Sequence, residues 1–497
     1  MSLIKSISGI RGVIGGAPGE NLTPPDIVKF TAAFGMFIKQ NNSGQRVKII
    51  IGRDARISGE MVKNLVIGTL LSQGIDIIDL GLASTPTVEL AVASQDAQGG
   101  VILSASHNPQ GWNALKLLNS QGEFLSPDEG ETLIQLAEKN NFDFVSEEKL
   151  GTYLFNPYLA AEHLRKILQL ALVDKNIIAQ RNFKIVVDGI NSVGGMIVPE
   201  LLKVLGVNNI VELNCEPNGQ FTHQPEPLAK NLTQIMDKVK QEKADLGIVV
   251  DPDVDRLAFI NEKGEMLGEE YTLVAVADYV LRNFETINIS TESRSASRVD
   301  NQADNQLNNK YNKSTVSNLS SSRALKDITE KYQGEYQAAA VGEVNVVRKM
   351  KEIKAIIGGE GNGGIIYPEL HYGRDALVGI ALFLTHLAKE NKKVSELRQA
   401  LPEYFMVKDK LELQPGLNLL DLLLRIKHDY ESRGSEDNSQ LKITDIDGLK
   451  IDWTNSWVHL RSSNTEPIIR IYAEAKSLNV AEQKVKEIKE KILAYIK

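Results

Sequence analysis

LGIVVDPDVDR, residues 246–256, sets a five-residue apolar run directly against a loop that holds Pro252 and three aspartates at alternate positions. A run that is too short for a helix and is closed by proline reads as a fully buried strand. The pattern recurs twice. Gly100–Leu103 runs into SASHNPQGWNALK (104–116), where Asn108, Pro109 and Gly111 exclude a helix or a continued central strand. Ala355–Ile357 runs into GGEGNGG (358–364). Helical-period segments lie between such strands. Val62, Leu65, Val66, Thr69 and Leu70 share one helix face between predicted strands Val47–Ile51 and Ile75–Leu80. A second predicted helix, Val193–Leu205, separates Lys184–Val187 from Ile210–Leu213, and a third spans Tyr271–Asn283. This alternation is that of βαβ units and mixed, mostly parallel α/β sheets. In such sheets ligands gather outside the carboxyl ends of the strands, so the three polar loops are the expected walls of one central cleft between three similar domains.

The last hundred or so residues differ. They carry Trp453 and Trp457, a predicted strand Ile468–Ala473 after RSSNTEP, and a terminal helix from Asn479 onward, which together predict a C-terminal α+β domain. The expected division is 1–155, 156–261, 262–400 and 401–497. The 497 residues exceed what one core supports. Within the third unit, about 292–312 is rich in Ser, Asn, Gln and Asp and poor in large apolar residues, and it reads as a flexible insertion.

With 56 Lys and Arg against 64 Asp and Glu the net charge is −8, which argues against nucleic acid or an anionic membrane as partner. A small anion must therefore meet a local basic cluster. The single cysteine, Cys215, allows no intramolecular disulfide, and no Cys/His spacing suits zinc. MSLIKSISGIRG lacks the apolar core of a secretory signal, and no apolar run approaches the about 18 residues of a membrane span. The expected location is cytoplasmic.

Asp251, Asp253 and Asp255 put three hard oxygen ligands on an extended loop, a set suited to Mg²⁺. A calcium EF-hand is excluded, because its sixth position would be Arg256 rather than Gly and strands flank the loop. An aspartyl nucleophile at Asp251 stays open, although Asp255 stands where such a site would favour Thr or Val. Ser106, beside His107 and Asn108, is placed to be a nucleophile or to carry a covalent phosphate. Lys116 could neutralise that phosphate or exchange protons. GGEGNGG lacks both the P-loop and the dinucleotide order, but displays Glu360 and Asn362, a carboxylate and an amide suited to neighbouring sugar hydroxyls. RSSNTEPIIR (461–470) gathers Arg461, Ser463, Asn464, Thr465 and Arg470, a recipe for a phosphate monoester, and Arg11 is a further cation between glycines.

In this order and at these separations, SGIRG (8–12), SASHNP, DPDVDR, GGEGNGG and RSSNTEP resemble the α-D-phosphohexomutase family over nearly the whole chain. The resemblance implies four domains around a cleft and an intramolecular phosphotransferase. It implies that Ser106 is the phosphoserine and that the three aspartates and a phosphate oxygen on Ser106 hold Mg²⁺, with Arg256 beside the metal. Glu360 and Asn362 would grip sugar hydroxyls, with Glu343 of VGEVNVV in a substrate-contacting loop. Arg461, Ser463, Asn464, Thr465 and Arg470 would hold the unreacting phosphate, and Arg11, His107 and Lys116 would act near the transferring group. The implied cycle passes through a hexose 1,6-bisphosphate, which also serves as activator, on a phosphosugar substrate, in a monomer or homodimer. Lys116 is the expected general acid or base, on the expectation that cations and a metal lower its pKa. Many bacterial members have a histidine where this chain has Gly364, so proton transfer could fall instead on His371. The SASHNP form resembles phosphoglucosamine mutases, the expected activity. The Asn362 loop resembles the broader phosphomannomutases and phosphoglucomutases. A sugar-phosphate phosphatase and a non-catalytic phosphosugar-binding protein are the more distant alternatives.

Overall fold

The structure, a computed structural model, describes residues 2–6, 9–287, 310–413, 418–434, 441–462 and 468–496. Its four sheets follow one another along the chain. The first has seven strands in the order Ile4–Ser6, Gly9–Val13, Trp112–Leu118, Gly99–Leu103, Lys48–Arg53, Asp76–Leu82 and Tyr153–Phe155. The second runs Leu257–Asn261, Leu246–Val250, Lys184–Asp188, Asn209–Leu213, and the third Glu335–Ala339, Asn312–Asn318, Ala355–Glu360, Gly364–Ile366. Parallel pairs outnumber antiparallel ones in the second and third sheets and equal them in the first. The fourth is antiparallel throughout, Phe405–Glu412, Ile468–Ala475, Ser456–Ser462, Leu449–Trp453, Lys442–Thr444, and its core includes Leu422 and Ile426 of helix Leu419–Gly434 and Val485, Ile488 and Ile492 of helix Leu478–Ile496. The molecule is thus three α/β domains and a C-terminal α+β domain.

One topological feature positions everything that follows. Each of the three polar loops is the turn of an antiparallel hairpin and does not lead into a crossover helix. Gly99–Leu103 returns as Trp112–Leu118, Leu246–Val250 as Leu257–Asn261, and Ala355–Glu360 as Gly364–Ile366. In the first of these Lys116 lies opposite Ile102, one rung below the Ser106 loop.

Helices Glu269–Arg282 and Ala376–Glu390 are buried almost all round, as expected of helices inside a large core. They join the second sheet to the third in a single apolar cluster running from Leu164 to Tyr404. On helix Gly59–Ser72 the predicted face is buried except at Leu65, which is half-buried. Of the stretch expected as a flexible insertion, residues up to 309 lie outside the described residues. Its end departs from the expectation, because Tyr311 is buried and Asn312 already begins a strand. No helix among the described residues is long and apolar enough to cross a membrane.

Candidate active site

Ser106 adopts a left-handed backbone, φ 47°, a conformation that costs a non-glycine residue free energy unless the surroundings impose it. They do. Its N–H donates to Ser104 Oγ at 2.9 Å, and its carbonyl accepts from Arg56 Nη2 at 2.6 Å. The same guanidinium collects the carbonyls of Asn108 and Pro109, both at 2.7 Å, Trp112 at 3.0 Å and Gln110 at 3.3 Å, while Nε pairs with buried Asp54 at 3.0 Å. Arg56 therefore gathers the loop around one planar cation, a role the sequence reading missed. Its signal was Asp-Xaa-Arg (54–56), just after the strand Lys48–Arg53.

So held, Ser106 Oγ donates to Asp251 Oδ2 at 2.6 Å. His107 Nδ1 stands 3.4 Å from Ser106 Oγ. Burial first, then the positive field of Arg256, pushes the His107 imidazole well below its ordinary pKa, so the ring is neutral.

The aspartate loop is strained at Val254, φ 64°, an unusual value for a β-branched residue. It is pinned from both sides. Thr85 on the first domain donates through N–H to Asp253 O (2.9 Å) and through Oγ1 to Asp253 Oδ2 (2.7 Å), while Ala376 N–H donates to Val254 O at 3.2 Å. One carboxylate oxygen from each of Asp251, Asp253 and Asp255 lies within 4.8 Å of the others, and all three residues are buried. Asp251 Oδ1 accepts from the Asp255 and Arg256 N–H groups, both at 3.1 Å. Asp253 Oδ2 accepts from Lys116 Nζ at 2.6 Å, and Asp255 Oδ2 from Lys116 at 3.3 Å and Arg374 Nη2 at 2.8 Å. That leaves Asp253 Oδ1 and Asp255 Oδ1 buried without a hydrogen-bond partner. Two orphaned anionic oxygens beside the Ser106–Asp251 pair fit a hard divalent cation. Burial, with repulsion from Asp255 and Asp253, raises the Asp251 carboxyl well above the ordinary range; Asp255 is also buried, but Arg374 and Lys116 hold it below that range.

Lys116 corrects an expectation. Burial alone would lower its pKa, yet the carboxylates of Asp253 and Asp255 more than compensate and raise it, the reverse of the expected direction.

On the facing loop Glu360 ends its strand with Oε1 accepting from Asn318 Nδ2 (2.8 Å) and Gly342 N–H (3.1 Å) and Oε2 from Arg374 Nη1 (3.0 Å). Against the effect of burial, Arg374 lowers its pKa. Asn362 Oδ1 accepts from Gly364 N–H at 3.1 Å. Glu343, the first residue of helix Glu343–Ile353, accepts from Arg374 N–H (3.1 Å) and Nε (2.9 Å). Arg374 was the second residue missed, since GRD (373–375) carries no marker of the three segments that it meets.

The basic residues converge from three domains. Arg11, on strand Gly9–Val13, has its pKa lowered first by burial and then by Arg256 and Arg470. Arg256 Nη1 is 3.8 Å from Glu226 and its Nε 3.9 Å from Asp255 Oδ1. Arg470 sits opposite Arg461 on neighbouring strands, and Arg461 Nε lies 3.6 Å from Asp447. Ser463, Asn464 and Thr465 lie outside the described residues. His371, the alternative proton carrier, contacts Asp375 at 3.3 Å and Glu89 at 3.5 Å and does not contact Ser106.

Comparison with known proteins shows the family. Four family profiles match in order: phosphoglucomutase/phosphomannomutase alpha/beta/alpha domain I at 4–144, domain II at 161–264, domain III at 296–405, and the C-terminal domain at 391–492. A phosphoglucomutase/phosphomannomutase of Thermococcus kodakarensis is 34% identical over 96% of this chain and 95% of its own. A phosphoglucosamine/phosphogalactosamine mutase of Sulfurisphaera tokodaii is 32% identical over 98% of this chain and 99% of its own. The crystal structure of a phosphoglucomutase/phosphomannomutase family protein from Burkholderia thailandensis shares the fold, with TM-score 0.79 at 23% identity, covering 99% of this chain and 98% of that one.

Proposed function

The chain belongs to the phosphoglucomutase/phosphomannomutase family of phosphohexomutases, and from that premise we propose a Mg²⁺-dependent isomerase that interconverts glucosamine 6-phosphate and glucosamine 1-phosphate in the cytoplasm. The observation that carries the reading is Ser106 Oγ, 2.6 Å from Asp251 and beside two orphaned carboxylate oxygens.

In the cycle, the Ser106 Oγ–P bond breaks as a bond forms from phosphorus to the free hydroxyl oxygen of the hexose monophosphate, and that hydroxyl's proton ends on the leaving oxygen, Ser106 Oγ. The resulting 1,6-bisphosphate reorients and its other phosphoryl group returns to Ser106. Asp251, Asp253 and Asp255, with a phosphate oxygen on Ser106, would hold Mg²⁺, which when bound neutralises charge on the transferring group. Lys116 donates to that group's oxygens. Neutral His107 shields Ser106 from solvent without adding a cation, and Arg256 and Arg11 supply positive charge on the side of the incoming phosphate. Glu360, Asn362 and Glu343 accept from the sugar hydroxyls. Arg461 and Arg470, with Ser463, Asn464 and Thr465, hold the phosphate that is not reacting, so one site serves both ends of the sugar. The domain limits that fit these roles are 1–155, 156–261, 262–400 and 401–497.

The choice of glucosamine rests on the SASHNP loop and on the name of the Sulfurisphaera relative. The alternative, glucose or mannose phosphate, rests on the Asn362 loop and on the name of the Thermococcus relative. Intact-mass and phosphopeptide measurements on purified protein should find one phosphoryl group at Ser106. Interconversion of glucosamine, glucose and mannose 1- and 6-phosphates, with catalytic hexose 1,6-bisphosphate, then ranks the substrates. Ser106→Ala should abolish turnover, and activity surviving in it refutes the reading.

A further inference from the structure

Arg374 binds three carboxylates that come from three different segments, the start of helix Glu343–Ile353, the end of strand Ala355–Glu360 and the aspartate loop. Its N–H and Nε take the two oxygens of Glu343, Nη1 takes Glu360 and Nη2 takes Asp255, all between 2.8 and 3.1 Å, and the side chain is 11% exposed. A planar fork satisfied on three edges cannot shift without breaking a charge-assisted bond. The backbone beneath it is equally fixed. Asp375 caps helix Ala376–Glu390, accepts from His163 Nε2 at 2.9 Å, and donates its N–H to Ile365 O at 2.8 Å. A Cβ on Gly373 would lie 2.0 Å from Glu89 Oε2, so a side chain there would displace that carboxylate.

The decisive detail is on the adjoining strand, where Ile366 pairs with Arg374. A Cβ on Gly364 would stand 2.4 Å from Arg374 Cδ, closer than carbon atoms approach. The missing side chain at 364 is therefore the space through which Arg374 reaches the metal loop.

We propose that Arg374 is a positioning residue for the mutase reaction, and that Gly364 exists to admit it. Resting on the function proposed above, the inference adds what that reading lacks, a physical link between sugar recognition and phosphoryl transfer. Arg374 fixes Glu343 and Glu360 in place as paired acceptors for sugar hydroxyls. Through Nη2 it also engages Asp255 Oδ2, leaving Oδ1 as the oxygen without a hydrogen-bond partner. Sugar acceptors and metal ligand are thus registered to one another by one guanidinium.

The test uses full-length protein and four variants: Arg374→Ala, Arg374→Lys, Gly364→Ala and the double change Gly364→Ala/Arg374→Ala. Arg374→Ala should raise KM for hexose 6-phosphate at least about tenfold, with a smaller change in kcat, as expected when bonds to charged groups are lost. It should also weaken Mg²⁺ binding in calorimetry with the metal alone, while hexose 1,6-bisphosphate still phosphorylates Ser106 by intact mass. Arg374→Lys keeps the charge but loses the fork, and should recover little of the KM. Gly364→Ala should raise KM severalfold in the wild-type background and add nothing once Arg374 is gone. Unchanged KM and metal affinity in Arg374→Ala, full rescue by Lys, or a Gly364→Ala cost equal in both backgrounds each overturns the inference. Should Arg374→Ala fail to fold, Gly364→Ala decides alone, and an unaltered KM there refutes the link. Failure of the underlying function would look different: wild-type protein with no phosphoserine and no turnover.

Discussion

At the scale of single residues, charge placement matters more than charge number. Arg56 and Asp54 form a buried pair, and the pair is useful because the guanidinium's remaining donors are spent on five carbonyls of the Ser106 loop. Burial already lifts the Asp54 carboxyl above its ordinary range despite Arg56. Arg56→Ala would leave that carboxylate uncompensated and the loop unsupported. It should cost about 3–5 kcal/mol of stability, measured by denaturant unfolding, and abolish phosphoryl incorporation at Ser106. Arg56→Lys should fold better but incorporate poorly, since an ammonium cannot span five acceptors. Ser106 and the aspartates were legible in the sequence because the chemistry of each is written within its own short loop. Arg56 and Arg374 were not, because each matters through partners far away along the chain, and a lone arginine gives no sign of that.

At the scale of elements, the hairpins explain how three loops meet. Period and β-branching revealed the incoming strands, while the short return strands Trp112–Leu118, Leu257–Asn261 and Gly364–Ile366 went unread, because an apolar run carries no mark of the direction of its partner. Two of these hairpins are bonded to one another, Leu257 N–H donating to Gly363 O at 3.1 Å. Gly363 has φ 86°, and a Cβ on it would lie 2.3 Å from Leu257 O. Gly363→Ala should therefore destabilise by more than about 1 kcal/mol and lower kcat/KM, because it moves the 358–364 loop away from the aspartate loop. A melting temperature and activity equal to wild type would show that the contact does not set the spacing.

At the scale of the whole molecule, the fourth domain is attached by polar contacts. Arg323 donates to the carbonyls of Thr454, Trp453 and Ser456, Lys450 Nζ to Leu319 O, and buried His459 bridges Ser320 Oγ at 2.9 Å and Asp447 O at 2.6 Å. Burial lowers the His459 pKa from 6.5 to about 4, so the folded protein holds it neutral. As pH falls below 6.5 the unfolded chain takes up this proton first, and the stability contributed by the neutral ring is lost progressively toward about 4. Hydrogen-exchange protection of Leu449–Trp453 and Ser456–Ser462 should fall over that window, and His459→Gln should flatten the dependence. Identical pH profiles would assign the effect elsewhere.

The continuous apolar cluster from Leu164 to Tyr404 adds a mechanical consequence. Grease shared by two sheets cannot be parted without wetting it, so the middle of the protein moves as one anvil. Whatever swivel lets a bisphosphate turn end over end within the cleft must then be located in the hydrogen-bonded joints on either flank, and limited proteolysis should release the C-terminal piece well before it separates the two central ones.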